Sequence, residues 1–177
     1  MSQPKSKGTL LVISCSKSKL DYPAPASKLY QGQQFKALTK LANQNKWDLC
    51  IISGKLGLIA PDRLVKPYDQ KLQNTKEDIA RVQDLTLPKL RNLIPRYETV
   101  IVFMSKVYKK VIKPLANEKF VVVHHPKGIF GYNQLVYECL KLPRGQVISK
   151  LREFDGYYTN QENNKNKNTL ERFLKWV

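Results

Sequence analysis

The sequence predicts an α/β fold, a three-layer sandwich in which a mainly parallel, four-stranded sheet lies between two layers of helices. The prediction depends on four short apolar runs, at residues 9–14, 48–53, 98–104 and 119–125. Each run is continuous rather than alternating, which is typical of strands that are covered on both faces. Stretches with the helical spacing of apolar residues separate the runs, and this alternation indicates βαβ units around a parallel sheet.

Four helices are predicted between and after these strands, at residues 32–46, 75–94, 106–115 and 132–141. The first would bury one face, which is made of Phe35, Leu38, Leu41 and Ala42. The second begins with Thr75 and Asp78 in capping-box positions, which stabilise a helix start. Pro88 should break or kink this second helix, because proline lacks the amide hydrogen and crowds the preceding turn.

The 177 residues suit a single domain, which we place at residues 1–159. Residues 160–168, NQENNKNKN, are polar and low in complexity, so they are predicted to form a linker. The linker leads to TLERFLKWV, a short C-terminal helix expected to dock through Phe173, Leu174 and Trp176. No apolar run reaches the ~18 residues of a membrane span, and the N-terminus lacks an apolar signal region, so we expect a cytoplasmic protein.

The charge balance points to an anionic partner. Lysine and arginine number 31 against 14 aspartates and glutamates, which gives a formal net charge of +17. The excess is not confined to a tail, since residues 1–46 already hold eight lysines and one acid, Asp21. Nucleic acids and anionic membranes are the partners that commonly offset such a charge. We predict nucleic acid and no membrane; a surface that only aids solubility is the alternative.

Metal and cofactor chemistry is not predicted. Cys15, Cys50 and Cys139 are too few and too scattered for a disulfide framework or a metal cage. Neither a CxxC nor an H-x-x-x-H pattern accompanies them. Cys50 lies in an apolar run and is expected to be a small core residue.

The loop after the first predicted strand is the leading candidate for a phosphate site. It contributes Ser14, Cys15, Ser16, Lys17 and Lys19. Hydroxyls and turn amides can donate to phosphate oxygens while lysines neutralise them, and the loops at this end of such sheets carry ligands. The glycines of a Walker loop are missing. A polar loop with solvated lysines is the alternative.

Loops after the second and fourth strands extend this candidate site. The loop after the second strand carries Ser53, Lys55 and Gly57, with Lys55 directed toward the crevice of Lys17. The loop after the fourth strand carries His125, Lys127 and Gly128 at a predicted helix start. The amino end of a helix favours anions. His125 is either a proton donor at the site or a structural histidine.

Tyr30 and Tyr68 are predicted to stack on a base, although an aromatic residue such as Tyr30 near a helix start is often buried. Asp21, surrounded by lysines, should stay ionised and orient a water. A turn-forming aspartate is the equal alternative for Asp21.

The strings ISCSKSKLDYPAPASKLYQGQQFKAL and IISGKLGLIAPDRLVKPYDQKL resemble a small uncharacterised bacterial and phage family over residues 10–72. The family pattern is S-C-x-x-K, then P-A-x-x-L-Y-x-G-x-x-F, then a G-L-x-x-P-D loop and P-Y-D. The last three occur here unchanged, whereas the lysines after Ser14-Cys15 lie two and four residues beyond the cysteine rather than three. The family is distantly similar to YaaA-type proteins, which bind DNA and are linked to DNA damage responses. It is also similar to the uracil-DNA glycosylase fold, so the resemblance implies a glycosylase-like fold and an association with DNA.

Glycosylases of that superfamily use an Asp-Pro-Tyr-like loop to position water and a His-Pro-Ser motif to stabilise the departing base. Asp21-Tyr22-Pro23 and His125-Pro126-Lys127 fall at the corresponding places, with Tyr and Pro exchanged and lysine in place of serine. The resemblance thus implies catalytic roles for Asp21 and His125 in the hydrolytic removal of a damaged or modified base. The alternatives are a non-catalytic DNA-binding protein, such as a phage accessory or defence factor, and an enzyme that acts on free nucleotides.

Overall fold

The computed structural model of the protein describes residues 7–156. The strands within this range are β1 (Lys7–Ser14), β2 (Ala24–Pro25), β3 (Asp48–Ser53), β4 (Gly57–Ile59), β5 (Leu64–Val65), β6 (Tyr97–Phe103) and β7 (Phe120–Val122). The central sheet has the order β4-β3-β1-β6-β7, and all its neighbouring strands are parallel except the β3–β4 pair. β2 and β5 form a separate antiparallel pair.

The helices are α1 (Ala26–Leu29), α2 (Gln33–Asn45), α3 (Lys76–Leu93), α4 (Lys106–Ile112), α5 (Gly128–Cys139) and α6 (Arg144–Arg152). Two short 3₁₀ turns, Ile94–Arg96 and Lys113–Leu115, follow α3 and α4. Of the helices described here, none combines the length and the apolar character needed to cross a membrane. The predicted linker and C-terminal helix at residues 160–177 lie outside the described range.

The central sheet separates two hydrophobic clusters and so produces three layers. Leu11 and Ile13 of β1 pack with residues of α2, α5 and α6, whereas Leu10 and Val12 pack with residues of α3 and α4. All four side chains are buried. The apolar runs are continuous for this reason: both faces of each central strand are covered by helices.

The prediction of four strands is wrong, because the sheet has a fifth. β4 turns back beside β3 and pairs with it antiparallel, which brings Gly57 opposite Ser53. Gly57 has a φ of +68°, a left-handed conformation that glycine adopts without steric cost. The strand is only three residues long and follows turn residues, so its sequence has the signature of a loop.

The first two helices largely confirm their predictions. The buried residues of α2 include the four that were predicted to face the core. α3 begins as expected, with the Thr75 hydroxyl accepting a hydrogen bond from the Asp78 amide at 3.2 Å. It does not break at Pro88, which lies inside α3 at an exposed position. Water there can satisfy the carbonyl group that proline leaves without a donor.

The last predicted strand and helix have different bounds in the structure. β7 ends at Val122, and Val123 continues only as an isolated bridge to Asp155. α5 begins at Gly128 rather than at residue 132. α6 was not predicted, because its buried residues are only Val147 and Leu151, which is too weak a pattern to indicate a helix.

The order of the parallel strands defines where a ligand should bind. From β1 the chain crosses to β3 on one side and later returns to β6 on the other. Ligands of open α/β sheets bind outside the carboxyl ends of the strands where this reversal occurs. In this fold that position is the carboxyl end of the neighbouring strands β1 and β6.

Candidate functional site

Three cavities lie in a row at the carboxyl ends of the central strands, and we call them together the edge groove. The first and second cavities share Cys15 and Ser16. The second and third share Gln34, Phe103 and Ile129. Their volumes are about 530, 380 and 230 Å³. The loop after β1 therefore lies in the middle of a connected depression, where the strand order predicts a ligand.

The first cavity is the basic part of the edge groove. Its lining includes the side chains of Lys17, Lys19 and Lys71. The carboxylates of Asp69 and Asp78 also line it, but Asp78 forms a 2.6 Å ion pair with the arginine three residues later in α3. Three ammonium groups around one cavity can bind phosphate oxygens, and phosphate binding by the loop after β1 stays a prediction.

A thiol and a phenol meet on the wall of the first cavity. Cys15 Sγ lies 3.3 Å from Tyr108 Oη. Burial, followed by the influence of Cys15, raises the pKa of Tyr108, so the phenol keeps its proton at neutral pH. Gly54 lies against this pair, because a β-carbon there would come within 3.0 Å of Tyr108 Oη and would overlap the Leu72 amide nitrogen. Glycine thus lets the segment that carries Lys71 approach the end of β3.

The second cavity is lined by uncharged residues and by the amino end of α2. Ser14, Cys15 and Ser16 all contribute to it, as predicted. The Gly32 amide donates to Ser16 Oγ at 3.0 Å, and Ser16 Oγ donates to the Ser18 carbonyl at 2.7 Å, which fixes the loop against the helix start. The first turn of α2 contains no acidic residue, so the helix dipole there favours an anion.

The third cavity is the apolar part of the edge groove. Phe103, Met104, Ile129 and Tyr132 form much of its wall. Lys106 contributes a cation at the start of α4. Across the described range, residues 7–156, no cluster of three or more His, Cys, Asp or Glu side chains is placed to hold a metal ion. The lining thus offers apolar side chains and one cation to a ligand.

His125 lies in the wall of the third cavity. Its ring stacks on Phe154, with the centroids 4.9 Å apart. Its Nδ1 accepts a hydrogen bond from the Lys127 amide at 3.2 Å, so the neutral ring carries its proton on Nε2. Gly131 permits this placement, because a β-carbon at that position would overlap the imidazole. The fold therefore holds His125 in one orientation.

Lys109 lies beneath the third cavity and is fully buried. Its Nζ donates to the Val123 carbonyl at 2.7 Å and to Tyr132 Oη at 3.1 Å. Burial, followed by the charge of Lys106, lowers the pKa of Lys109 to about 8, although Asp155 acts in the opposite direction. A cation at neutral pH thus lies behind Tyr132, one of the cavity's wall residues.

Three hydroxyl groups form a chain behind the basic part of the groove. Tyr68 Oη lies 2.6 Å from Ser53 Oγ and 2.7 Å from Tyr30 Oη. Ser53 Oγ also accepts hydrogen bonds from the amides of Lys55 and Leu56. Ser53 and Tyr30 are fully buried. This burial corrects two predictions: Ser53 does not face a phosphate, and Tyr30 does not offer a surface to a base.

Tyr68 supports two cations. The ammonium groups of Lys19 and Lys55 lie 4.5 and 5.3 Å from the centroid of its ring, within the range of cation–π attraction. The ring is half-buried and carries these two cations, and the stacking of a base on Tyr68 stays a prediction. The loops after β1 and β3 do converge, although they meet through Lys19 rather than Lys17.

The predicted catalytic residues do not share a cavity. Asp21 is exposed and lies outside the linings of the three cavities, whereas His125 lines the third. Gly57 was predicted to approach a ligand, but it is buried in β4, where Leu85 of α3 packs against it. Lys127 and Gly128 are exposed at the start of α5, where an anion was predicted to bind.

The sequence did not predict the exposed apolar pair Ile129 and Phe130, of which Ile129 lines the edge groove. Ile129 and Phe130, in the first turn of α5, are 65% and 81% exposed. Lys71 and Lys106 also line the groove without having been singled out. The signal for the apolar pair was present, because the two residues stand between Gly128 and Gly131 in an otherwise polar loop.

Residues 10–135 match the model of a family of unknown function, DUF6884. The matched range extends from β1 into α5 and includes all the residues that line the edge groove. No curated protein matches the chain, and no solved structure does.

Proposed function

The chain belongs to the DUF6884 family of unknown function, and we propose that it binds nucleic acid along the edge groove. The observation that carries this proposal is the order of the three connected cavities: lysines line the first, a helix amino end faces the second, and apolar side chains line the third. Backbone phosphates require cations and amide donors, whereas bases require apolar surfaces. The groove presents both along one line.

The composition and the resemblance support the same proposal. The net charge of +17 favours a polyanion and attracts it over a distance. Residues 10–72 resemble a family that is distantly similar to YaaA-type proteins, and this resemblance, drawn from the sequence alone, favours DNA among the polyanions. In this proposal Lys17, Lys19 and Lys71 neutralise successive phosphates, and the amino end of α2 contributes amide donors.

Binding is tested with labelled oligonucleotides and two matched lysine variants. Lys17→Ala removes a cation from the first cavity, whereas Lys89→Ala removes one from α3 in a different cleft, which is lined by the starts of β1 and β3. We expect Lys17→Ala to weaken binding and to lower the salt slope by about 0.7–0.9 for one lost phosphate contact, with Lys89→Ala unchanged. If the two variants had equal effects, the nucleic acid would not be bound in the groove. If the wild type did not associate with the oligonucleotides at low salt, the proposal would be wrong.

An enzyme acting on free nucleotides is separated from this proposal by competition. A polyanion that occupies several cavities gains affinity from each phosphate, so a mononucleotide should displace a bound oligonucleotide only at a much higher concentration. Displacement at a concentration comparable with that of the oligonucleotide would instead favour a nucleotide enzyme.

A second candidate is hydrolytic removal of a damaged or modified base. The position of His125 favours it, because the ring is fixed in the wall of an apolar cavity with its proton on Nε2, from which it can donate to a departing base. Flipping a base costs a few kcal/mol and is easiest for a damaged one. The resemblance assigns the water-orienting role to Asp21. The carboxylates that line the groove are instead those of Asp69 and of Asp78, and Asp78 is already held in an ion pair.

The hydrolytic function is tested by incubating duplexes that carry modified bases and then cleaving abasic sites with alkali. His125→Gln should abolish cleavage without weakening binding, since the ring is assigned to the leaving group. Asp21→Asn and Asp69→Asn identify which carboxylate orients the water. If a preparation that binds these duplexes cleaved none of a broad panel of them, the protein would be a non-catalytic DNA-binding protein.

A further inference from the structure

We propose that the exposed face of α5, together with the neighbouring lysines of α2, forms a track for single-stranded nucleic acid on which unpaired bases stack against Phe130 and Tyr137. This inference rests on the proposed function and names the form of nucleic acid that the protein prefers. The track lies beside the edge groove, and the cleft that belongs to it shares Gln33 with the second cavity of the groove.

Two exposed aromatic side chains mark the track. Phe130 is 81% exposed and Tyr137 is 51% exposed, and both belong to α5. Residues seven apart on a helix lie on the same face, two turns or about 10 Å apart. Phe130 is the most exposed large apolar side chain among those described. Aromatic rings in water with free faces are the platforms on which single-stranded nucleic acids stack their bases.

A row of cations accompanies the second aromatic residue. Lys36 and Lys40 of α2, one turn apart, line a shallow cleft together with Tyr137 and Lys141. The cleft has a volume of about 500 Å³. Its lysines can follow a sugar–phosphate backbone while the aromatic rings take the bases, which is the usual division of labour in single-strand binding.

The two helices that form the track are fixed to each other. The Gln34 side chain of α2 donates to the Asn133 side chain of α5 at 3.2 Å. Both residues also line the edge groove, Asn133 in its second cavity and Gln34 in the second and third. Ile129, which precedes Phe130, is shared by the same two cavities. A strand that leaves the groove over Ile129 therefore meets Phe130 next.

The track requires unpaired bases. In a duplex the faces of each base are covered by its neighbours, and only base edges and phosphates are offered to a protein. A ring on a helix surface can stack on a base only when that base is unpaired or extruded. The aromatic residues should therefore contribute to the binding of single strands and add nothing to the binding of intact duplex.

The inference is tested by measuring the affinities of Phe130→Ala and Tyr137→Ala for a single strand and for the duplex of the same sequence. Each variant should weaken single-strand binding by about 5- to 140-fold, the range for loss of one stacked base, and should leave duplex affinity unchanged. Phe130→Trp and Tyr137→Phe should restore binding. A strand that contains 2-aminopurine should lose fluorescence on binding the wild type and lose less on binding either alanine variant.

Leu64→Ala is the matched control, since Leu64 is 68% exposed but belongs to β5. The inference is overturned if Leu64→Ala weakens single-strand binding as much as Phe130→Ala does, or if neither aromatic variant has an effect. It is also overturned if the aromatic variants abolish self-association and leave single-strand binding intact, because the face would then be a protein interface. In each of these cases, weaker nucleic-acid binding by Lys17→Ala would still support the proposed function. Failure of the wild type to bind any nucleic acid at low salt would contradict both this inference and the proposed function.

Discussion

Tyr68 shows how one side chain can position groups on three segments. Its hydroxyl contacts Ser53 at the end of β3 and Tyr30 after α1, and its ring carries the ammonium groups of Lys19 and Lys55. Burial raises the pKa of Tyr68 and raises that of Tyr30 to about 12, so both phenols stay neutral over the physiological range. The two cations are thus held beside the groove by an uncharged support.

Tyr68→Phe tests this support. The change leaves the ring in place and removes the hydroxyl that links two buried hydroxyl groups, so we expect the free energy of unfolding to fall by about 1–3 kcal/mol. Urea unfolding measures the change. Tyr22→Phe is the control, because Tyr22 is exposed and its hydroxyl is free to bond with water. Equal stability of the two variants would show that the hydroxyl chain does not stabilise the fold.

Lys109 gives the protein a pH dependence of defined sign. Its pKa is about 8 in the folded protein against an ordinary value of 10.5. Between these values the unfolded chain binds the proton and the folded protein does not, so raising the pH stabilises the folded state by up to about 1.4 kcal/mol per pH unit. The free energy of unfolding of the wild type should therefore increase, relative to that of Lys109→Met, from about pH 8 to about pH 10.

Comparison with the variant isolates this one group. Burial raises the pKa of Cys50 to about 12 and that of Cys139 to about 11, and both thiols destabilise the folded protein above about pH 9 because the unfolded chain loses their protons first. The wild type and the variant share that loss. Lys76→Met, at an exposed position in the first turn of α3, should show no such difference. A pH-independent difference between wild type and Lys109→Met would contradict the prediction.

The role of a single residue could be predicted only where it follows from the residue's position in its own strand or loop. Ser14, Ser16 and Lys17 could be placed because strand ends in an α/β sheet meet at one edge, and the structure puts them in the edge groove. Tyr30 and Ser53 could not, because their burial results from contacts with Tyr68, which is distant in the chain. A sequence shows that a hydroxyl or ring is present, and only tertiary packing decides which way it faces.

At the scale of elements, Gly131 links α5 to the segment after β7. A β-carbon at this position would overlap the His125 ring, so Gly131→Ala should lower the free energy of unfolding by about 1–3 kcal/mol, as overpacking commonly does. It should also displace His125 from Phe154, which the NMR shifts of the imidazole protons would report. Gly145→Ala is the control, since Gly145 lies in α6 with no atom within 4 Å of the added carbon. Equal stability of the two variants would disprove the close packing.

Strands were easier to predict than the helix faces that surround them. The runs that became β1, β3, β6 and β7 are apolar throughout because helices cover both sides, and that pattern is visible in the sequence alone. β4 and α6 were missed because each contributes too few apolar residues to show a period. The aromatic and lysine residues of α2 and α5 became a common surface only once the two helices were packed side by side, which no local pattern indicates.

The charge of the whole molecule connects the edge groove with the track. A net charge of +17 disfavours the compact state through self-repulsion, and a bound polyanion relieves it. Lysines of the loop after β1, of α2 and of the end of α5 all lie on linings of the groove or of the cleft beside Tyr137. The basic residues are therefore available to one ligand that extends along both.

This continuity predicts how affinity depends on salt for the two forms of nucleic acid. Three phosphates neutralised in the groove should give duplex a slope of about −3 in a plot of log affinity against log salt. Six phosphates neutralised along the groove and the track should give a single strand a slope of about −4. Anisotropy titrations at several salt concentrations measure both slopes, and unfolding curves in the same buffers ensure that salt acts on binding rather than on the fold. Replacing Lys36 and Lys40 by alanine should lower only the single-strand slope. If the duplex slope fell equally, the lysines of α2 would belong to a general basic surface and not to a track for unpaired strands.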